Sequence, residues 1–233
     1  MMNVQRITAI FEKDLKDFMK NTMLIFMPVI PIFLALFYSR ISHDGEMPTM
    51  MLYLVVGITF SSVTSACMMM MMAEENEKKT LRGLIMSPAS FLDIIIGKSL
   101  VTLVLTLITL VISLFIMGFD PFLNLKAMIG LCLLFLFFLF LGIGVGLFVK
   151  SVGITTAYLM PIMFLFGFTP MIQFFGLGEN HIALKIALYF PIPQLMTMHV
   201  TNEWLPLGIS VLLRVERESS QNPTASTSPR RMI

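Results

Sequence analysis

The sequence predicts an all-α integral membrane protein of about six transmembrane helices, the sixth incomplete. An amphipathic helix precedes the first span, and a short exposed helix sits between the second and third. Three observations predict this class. The 233 residues are 57% hydrophobic, with a mean hydropathy of +0.87. Only 13% are charged, where a water-soluble domain carries about a quarter. The apolar residues gather into runs of about 20, the length that crosses a bilayer core. The same figures exclude a disordered chain, which needs low hydrophobicity. The net charge of +2 is too small to mark a nucleic-acid binder.

Residues 1–22 form the first unit. Val4, Ile7, Phe11, Leu15 and Phe18 recur at helical spacing with charged residues between them, the pattern of an amphipathic helix. Directly ahead of a span, such a helix is expected in the membrane interface; the alternative is a helix that packs on a partner. The first apolar run follows this charged stretch and no small-residue cleavage site follows the run, so a secretory leader is not expected.

Residues 23–213 form the transmembrane unit. The first span, 23–39, contains Pro28 and Pro31, which neighbouring helices can accommodate in a membrane protein. The second, 50–73, ends in five methionines, Met68 to Met72. No thiolate or histidine cluster is placed to make them a soft-metal site, so an apolar helix surface explains them. The third span is 99–117, with Lys98 at its mouth as an interfacial anchor. The fourth is 127–149 and the fifth 151–176, the latter broken by Pro161 and Pro170. A turn this tight makes the fourth and fifth antiparallel neighbours. Gly142 and Gly146 form a GxxxG pair that permits close helix packing. Residues 177–203 read as short re-entrant or interfacial helices, and 204–213 as a sixth span that stops after about 15 Å of helix. Residues 214–233 are polar and read as a disordered tail. Cys67 and Cys132 both lie in apolar runs, so no disulfide framework is expected.

The distribution of Lys and Arg orients the chain. Thirteen of the sixteen fall in alternate segments that include the N-terminus and the loop after the second span, and three fall opposite. By the positive-inside rule the N-terminus is cytoplasmic. The five full spans, drawn this way, contain no Asp, Glu, Lys, Arg or His. That disfavours an ion-coupled carrier, which needs such groups to bind or relay the driving ion. His43, His181 and His199 all lie between spans, so no metal site is expected. Gly97-Lys98-Ser99 ends like a phosphate-binding loop, but Leu92 stands where that loop needs glycine. The chain therefore binds no cofactor and hydrolyses no nucleotide itself.

The cytosolic loop, 74–93, carries the strongest signal. Acidic residues lead from Glu74 to Glu77, basic residues follow, and Leu81, Leu84 and Ile85 make a short apolar stripe before Ser87-Pro88. An exposed helix with so small an apolar face needs a surface to dock into, or else lies on the lipid as a connector. Glu77, Thr80, Leu81, Leu84, Ser87 and Pro88 resemble the loop motif of ABC-2 type transporter permeases. The amphipathic start, the two spans ahead of the loop and the Tyr189-Phe190-Pro191-Ile192-Pro193 stretch are similar to that family too. The likeness extends over residues 1 to about 213, and the chain departs from it where the sixth span stops.

The resemblance implies the permease subunit of an ABC exporter in the plasma membrane. It would pair with a second permease, as a homo- or heterodimer, and with cytosolic ATP-binding subunits that hold ATP and Mg. Glu77, Thr80, Leu81 and Leu84 would contact the ATPase. Thr59, Ser62 and Ser65 on the second span, with Thr155, Thr156 and Thr169 on the fifth, are candidates to line the path, although such residues also serve helix packing. The scarcity of charge suits an amphipathic or apolar cargo such as a drug, a peptide or a lipid-like molecule. The rival readings are an ATP-independent channel or carrier, and a membrane anchor for a signalling partner.

Overall fold

The computed structural model describes residues 4–41, 48–79, 90–175 and 182–201. Among them there is helix and turn but no strand. Helix α1 (Val4–Lys20) buries Ile10, Asp14 and Phe18 on one face. Asn21 separates it from α2 (Thr22–Ile41) and caps the new helix by accepting the N–H of Met23. Helix α2 runs through Pro28 and Pro31, and its Phe26, Phe33 and Phe37 are exposed.

The second span is the axis of the molecule. Helix α3 (Thr49–Thr59), a π-helical segment (Phe60–Ser65) and α4 (Ala66–Glu77) join into one helix of 29 residues. At 1.5 Å per residue it is about 44 Å long, more than the ~30 Å of a hydrocarbon core. It is buried at every residue from Leu52 to Ala73. Helices α2, α5 (Phe91–Met117), α6 (Leu125–Phe148) and α7 (Val152–Ile162) pack around it. The methionine run is therefore enclosed on every side, with Met68, Met69 and Met72 fully buried. Unbranched thioethers fill the irregular gaps between helices whose neighbours differ at each turn.

Two apolar clusters stack along this axis. One joins Tyr53, Phe60, Leu114, Phe138 and Ile162 with Ile192 and Leu195. The other joins Phe18, Leu24, Val63, Met68, Val101 and Ile143 at the α1 end. Ile192 and Leu195 belong to α9 (Pro191–Thr201), which follows the short α8 (Ile182–Ala187). Between α5 and α6 lie Gly118, whose φ of 112° ends α5, and a 3-10 turn (Asp120–Phe122).

Four described helices are long and apolar enough to cross a membrane: α2, the α3–α4 helix, α5 and α6. The fifth apolar helix, Val152–Gly167, is shorter than the expected 151–176. It ends in a π-helical segment (Met163–Gly167) and gives way to a 3-10 helix (Thr169–Phe175). Pro170 suits the break: it has no N–H to carry the helical ladder onward, but it fits the first turn of a new helix. The expected loop is also trimmed from both ends. Helix α4 continues to Glu77 and then turns at Lys78 and Lys79, where Lys79 takes a left-handed φ of 55°, a helix-ending conformation. Helix α5 starts at Phe91, so Lys98 lies two turns inside it. The acidic residues Glu74 to Glu77 thus close the second span and do not open a separate helix. Thr80, Leu81 and Leu84, the run 204–213 and the tail 214–233 lie outside the described residues.

Gly142 and Gly146 let α6 lie against the axis. A Cβ on Gly142 would stand 2.7 Å from Ser65 O, and one on Gly146 would stand 2.8 Å from Met72 Cβ. Nothing lies within 4 Å of a Cβ on Gly144. Gly142→Leu and Gly146→Leu are each expected to cost at least about 1–3 kcal/mol through overpacking, whereas Gly144→Leu is tolerated. Thermal unfolding in detergent, followed by size-exclusion chromatography, reads the difference.

Candidate functional site

The α1 end of the bundle gathers charges that the sequence scatters. Lys98, on α5, is 1% exposed, and Asp14 on α1 and Glu75 on α4 are each 4% exposed. Lys98 Nζ donates to Asp14 Oδ2 at 3.0 Å and to Glu75 Oε1 at 3.3 Å. Lys13 Nζ reaches the same Glu75 oxygen at 2.7 Å and Asp14 Oδ1 at 3.5 Å. Two cations and two anions so form a closed ring of zero net charge that ties α1, α4 and α5 together. Lys98 is not the interfacial anchor expected from its place in the sequence; it is enclosed and paired.

Local structure explains why the ring closes. Ile10, Asp14 and Phe18 are spaced i, i+4, i+8, so Asp14 points inward from the same face that packs. That face approaches α5 at Gly97, where a Cβ would stand 2.7 Å from Ile10 Cγ2. Ser90 and Asp93 start α5 with reciprocal side-chain and backbone hydrogen bonds, a capping box that fixes where the helix begins. Burial by itself would lower the Lys13 pKa. Its hydrogen bond to Glu75 and the charges of Asp14 and Glu75 outweigh burial and hold it above the ordinary lysine value. A cavity of about 90 Å³ beside the ring is bounded also by Asp17, Glu74 and Lys78.

The next two residues of α4 reach a different neighbour. The Asn76 amide donates to Gly146 O at 3.2 Å, Leu147 O at 3.4 Å and Val149 O at 2.9 Å, the carbonyls that end α6. Glu77 Oε2 accepts the N–H of Val152, the first residue of α7, at 2.8 Å. Ser151, at the N-cap of α7, makes no side-chain cap of its own. Glu77, expected at the ATPase contact, is therefore engaged within the chain.

A polar seam continues from the ring into the bundle. Thr102, Thr106, Thr109 and Ser113 lie buried along one face of α5. Thr106 Oγ1 meets Thr64 Oγ1 across the helix boundary at 2.9 Å. Of the expected path residues, Thr59 and Ser62 donate to the carbonyls of Val55 and Ile58 one turn back, and Ser65 donates to Phe138 O on α6. Thr155 and Thr169 are buried; Thr155 donates to Val152 O within α7 and Thr169 to Leu165 O and Phe166 O of the π-helical segment ahead of it, while Thr156 is partly buried. Among the described residues no group of three or more His, Cys, Asp or Glu is placed to hold a metal ion.

The ring and the α5 seam were missed in the sequence. Signals for both are present in it. A carboxylate at Asp14 interrupts the i, i+4 apolar face of α1, and hydroxyls at 102, 106, 109 and 113 repeat with helical period in a span made mostly of Leu, Ile and Val.

Removing one member of a buried pair leaves an uncompensated charge, so Lys98→Met is expected to cost about 3–5 kcal/mol. Lys13→Met is expected to cost about 1 kcal/mol or less, because half of that side chain is in solvent. Asp14→Leu added to Lys98→Met is expected to recover part of the loss. Thermal unfolding of the four proteins in one detergent checks the order.

No curated protein and no solved structure matches the chain. The family model described as "ABC-2 family transporter protein" matches residues 44–202. That segment holds the axial helix, α5, α6, α7 and the short helices after them, so the match covers the whole bundle except α1 and α2. More than half of the chain lies within it, and the protein, a multi-pass membrane permease, belongs to the ABC-2 family of transporter proteins.

Proposed function

We propose that this chain is the membrane-spanning subunit of an ATP-driven ABC-2 exporter. The family match supports a permease. The observation that carries the coupling part of the reading is the brace at the α1 end. The helices on either side of residues 80–89, α4 and α5, are locked to each other and to α1 by the Lys98, Glu75 and Asp14 contacts. A force applied to a loop rooted there reaches three helices together.

In this reading the α1 end faces the cytoplasm, in keeping with the Lys and Arg count, and the membrane is the plasma membrane. A cytosolic ATP-binding subunit holds ATP and Mg and docks on Thr80, Leu81 and Leu84. A second permease, identical or different, completes the transmembrane unit. The cargo is amphipathic or apolar. The path runs past Thr59, Ser62 and Ser65 on the axial helix and Thr155, Thr156 and Thr169 beside it, whose hydroxyls change partners when the helices part.

Purification in mild detergent followed by mass spectrometry tests the docking. A P-loop ATPase is expected with the unaltered chain, and at least about tenfold less with Leu81→Asp/Leu84→Asp, a loss of ~1.4 kcal/mol or more. No ATPase with well-folded unaltered chain would overturn the reading. Photocrosslinkers placed at Ser62 and Thr156 are expected to label a drug-like apolar probe more than crosslinkers at the exposed Phe33 and Phe115. Equal labelling at all four would remove these residues from the path.

A further inference from the structure

We infer that Asn76 and Glu77 are positioning residues of the transport cycle, clipping the root of the 80–89 loop to the turn between α6 and α7. The inference rests on the ATP-driven reading above and deepens it.

The clip is chemically matched at both ends. The C-terminus of a helix presents unpaired carbonyls and the negative end of its dipole; the N-terminus presents unpaired N–H groups and the positive end. Asn76 brings a donor to the carbonyls of Gly146, Leu147 and Val149. Glu77 brings an anionic acceptor to the N–H of Val152. The order of the two residues matters, since a carboxylate at position 76 would face carbonyl oxygens. Neither helix end supplies this cap itself. Helix α6 is followed by Val149, Lys150 and Ser151 with no glycine, and Ser151 does not cap α7.

Position gives the clip its role. Asn76 and Glu77 are the last two residues of α4, directly ahead of the Lys78–Lys79 turn that starts the loop. Glu75, one residue earlier, holds α1 and α5. Three consecutive side chains therefore divide the neighbours between them: Glu75 takes α1 and α5, Asn76 takes α6, Glu77 takes α7. A movement of the loop root is delivered through Glu75 to the front of the bundle and through Asn76 and Glu77 to the fourth and fifth spans. Loss of the clip leaves the loop free to dock and the partner free to hydrolyse ATP, while α7 no longer follows.

The test uses the full chain with its co-purified ATPase in lipid nanodiscs, in a Cys132→Ser background. Spin labels at Phe33 on α2 and Tyr158 on α7, both exposed, report the distance between these helices with and without ATP and vanadate. The unaltered clip is expected to give an ATP-dependent change. Asn76→Ala/Glu77→Ala is expected to keep ATPase binding and to hydrolyse ATP within about twofold, yet to lose most of the distance change, which is uncoupling of the two sites. Glu77→Gln, which keeps an acceptor oxygen, is expected to retain the change; Asn76→Asp is expected to lose it. If the double variant does not fold, Glu77→Ala alone carries the same expectation. A full distance change in the clip variants overturns the inference and leaves the permease reading standing. Loss of the ATPase from Glu77→Ala overturns it too, by making Glu77 a docking residue. An unaltered chain that binds no ATPase, or shows no ATP response, overturns the permease reading and the inference with it.

Discussion

A helix with no face toward lipid must find every contact inside the protein, and the second span is such a helix. Between lipid and protein there is no hydrophobic gain to hold helices together, because acyl chains are as apolar as leucine. Packing and hydrogen bonds have to supply the attraction. The axial helix meets this constraint with residues that lipid-facing spans use sparingly. Small hydroxyl residues from Thr59 to Ser65 allow close approach: Thr59, Ser61 and Ser62 bond to carbonyls one turn back, and Thr64 and Ser65 bond to α5 and α6. Methionines fill what is left. The surrounding helices carry the phenylalanines and leucines that meet the bilayer.

The ion ring solves a different problem at the end of the same axis. An apolar cluster could hold α1, α4 and α5 with equal or better stability, because desolvating the charges of Asp14, Glu75 and Lys98 is expensive. What charges add is register. Asp14 meets Lys98 when Ile10 sits on Gly97, and Glu75 shares both lysines. A slide of α1 by one turn would take Asp14 away from buried Lys98 and leave it Glu75 alone. The ring thus defines one relative position for three helices at the place where the loop leaves the bundle.

How much of this was legible follows from the forces involved. The first four spans were legible because a bilayer demands long apolar helices and tolerates few exceptions. The family was legible from a handful of loop residues. The enclosure of the second span was not, since hydropathy does not separate a helix wrapped by protein from one wrapped by lipid. Lys98 shows the same limit from the other side. Its charge placed it outside the third span, yet α5 starts at Phe91 and carries it inward, because two carboxylates more than twenty residues away in the chain come to meet it. Nothing in the sequence around Glu77 marks the backbone N–H, 75 residues later, that it accepts. Tertiary partners of this kind leave no local pattern.

The sequence distance between ring members also sets an order of events during synthesis. Asp14 and Lys98 are 84 residues apart. At about 5–20 residues per second, roughly 4–17 s separate their appearance. Throughout that interval α1 has emerged with a carboxylate on its packing face and no lysine of α5 to meet it. The axial helix waits longer, since its neighbours α6 and α7 come later still. Helix α1 is therefore held open until the third span arrives, and the segment most dependent on company enters the membrane before most of that company exists.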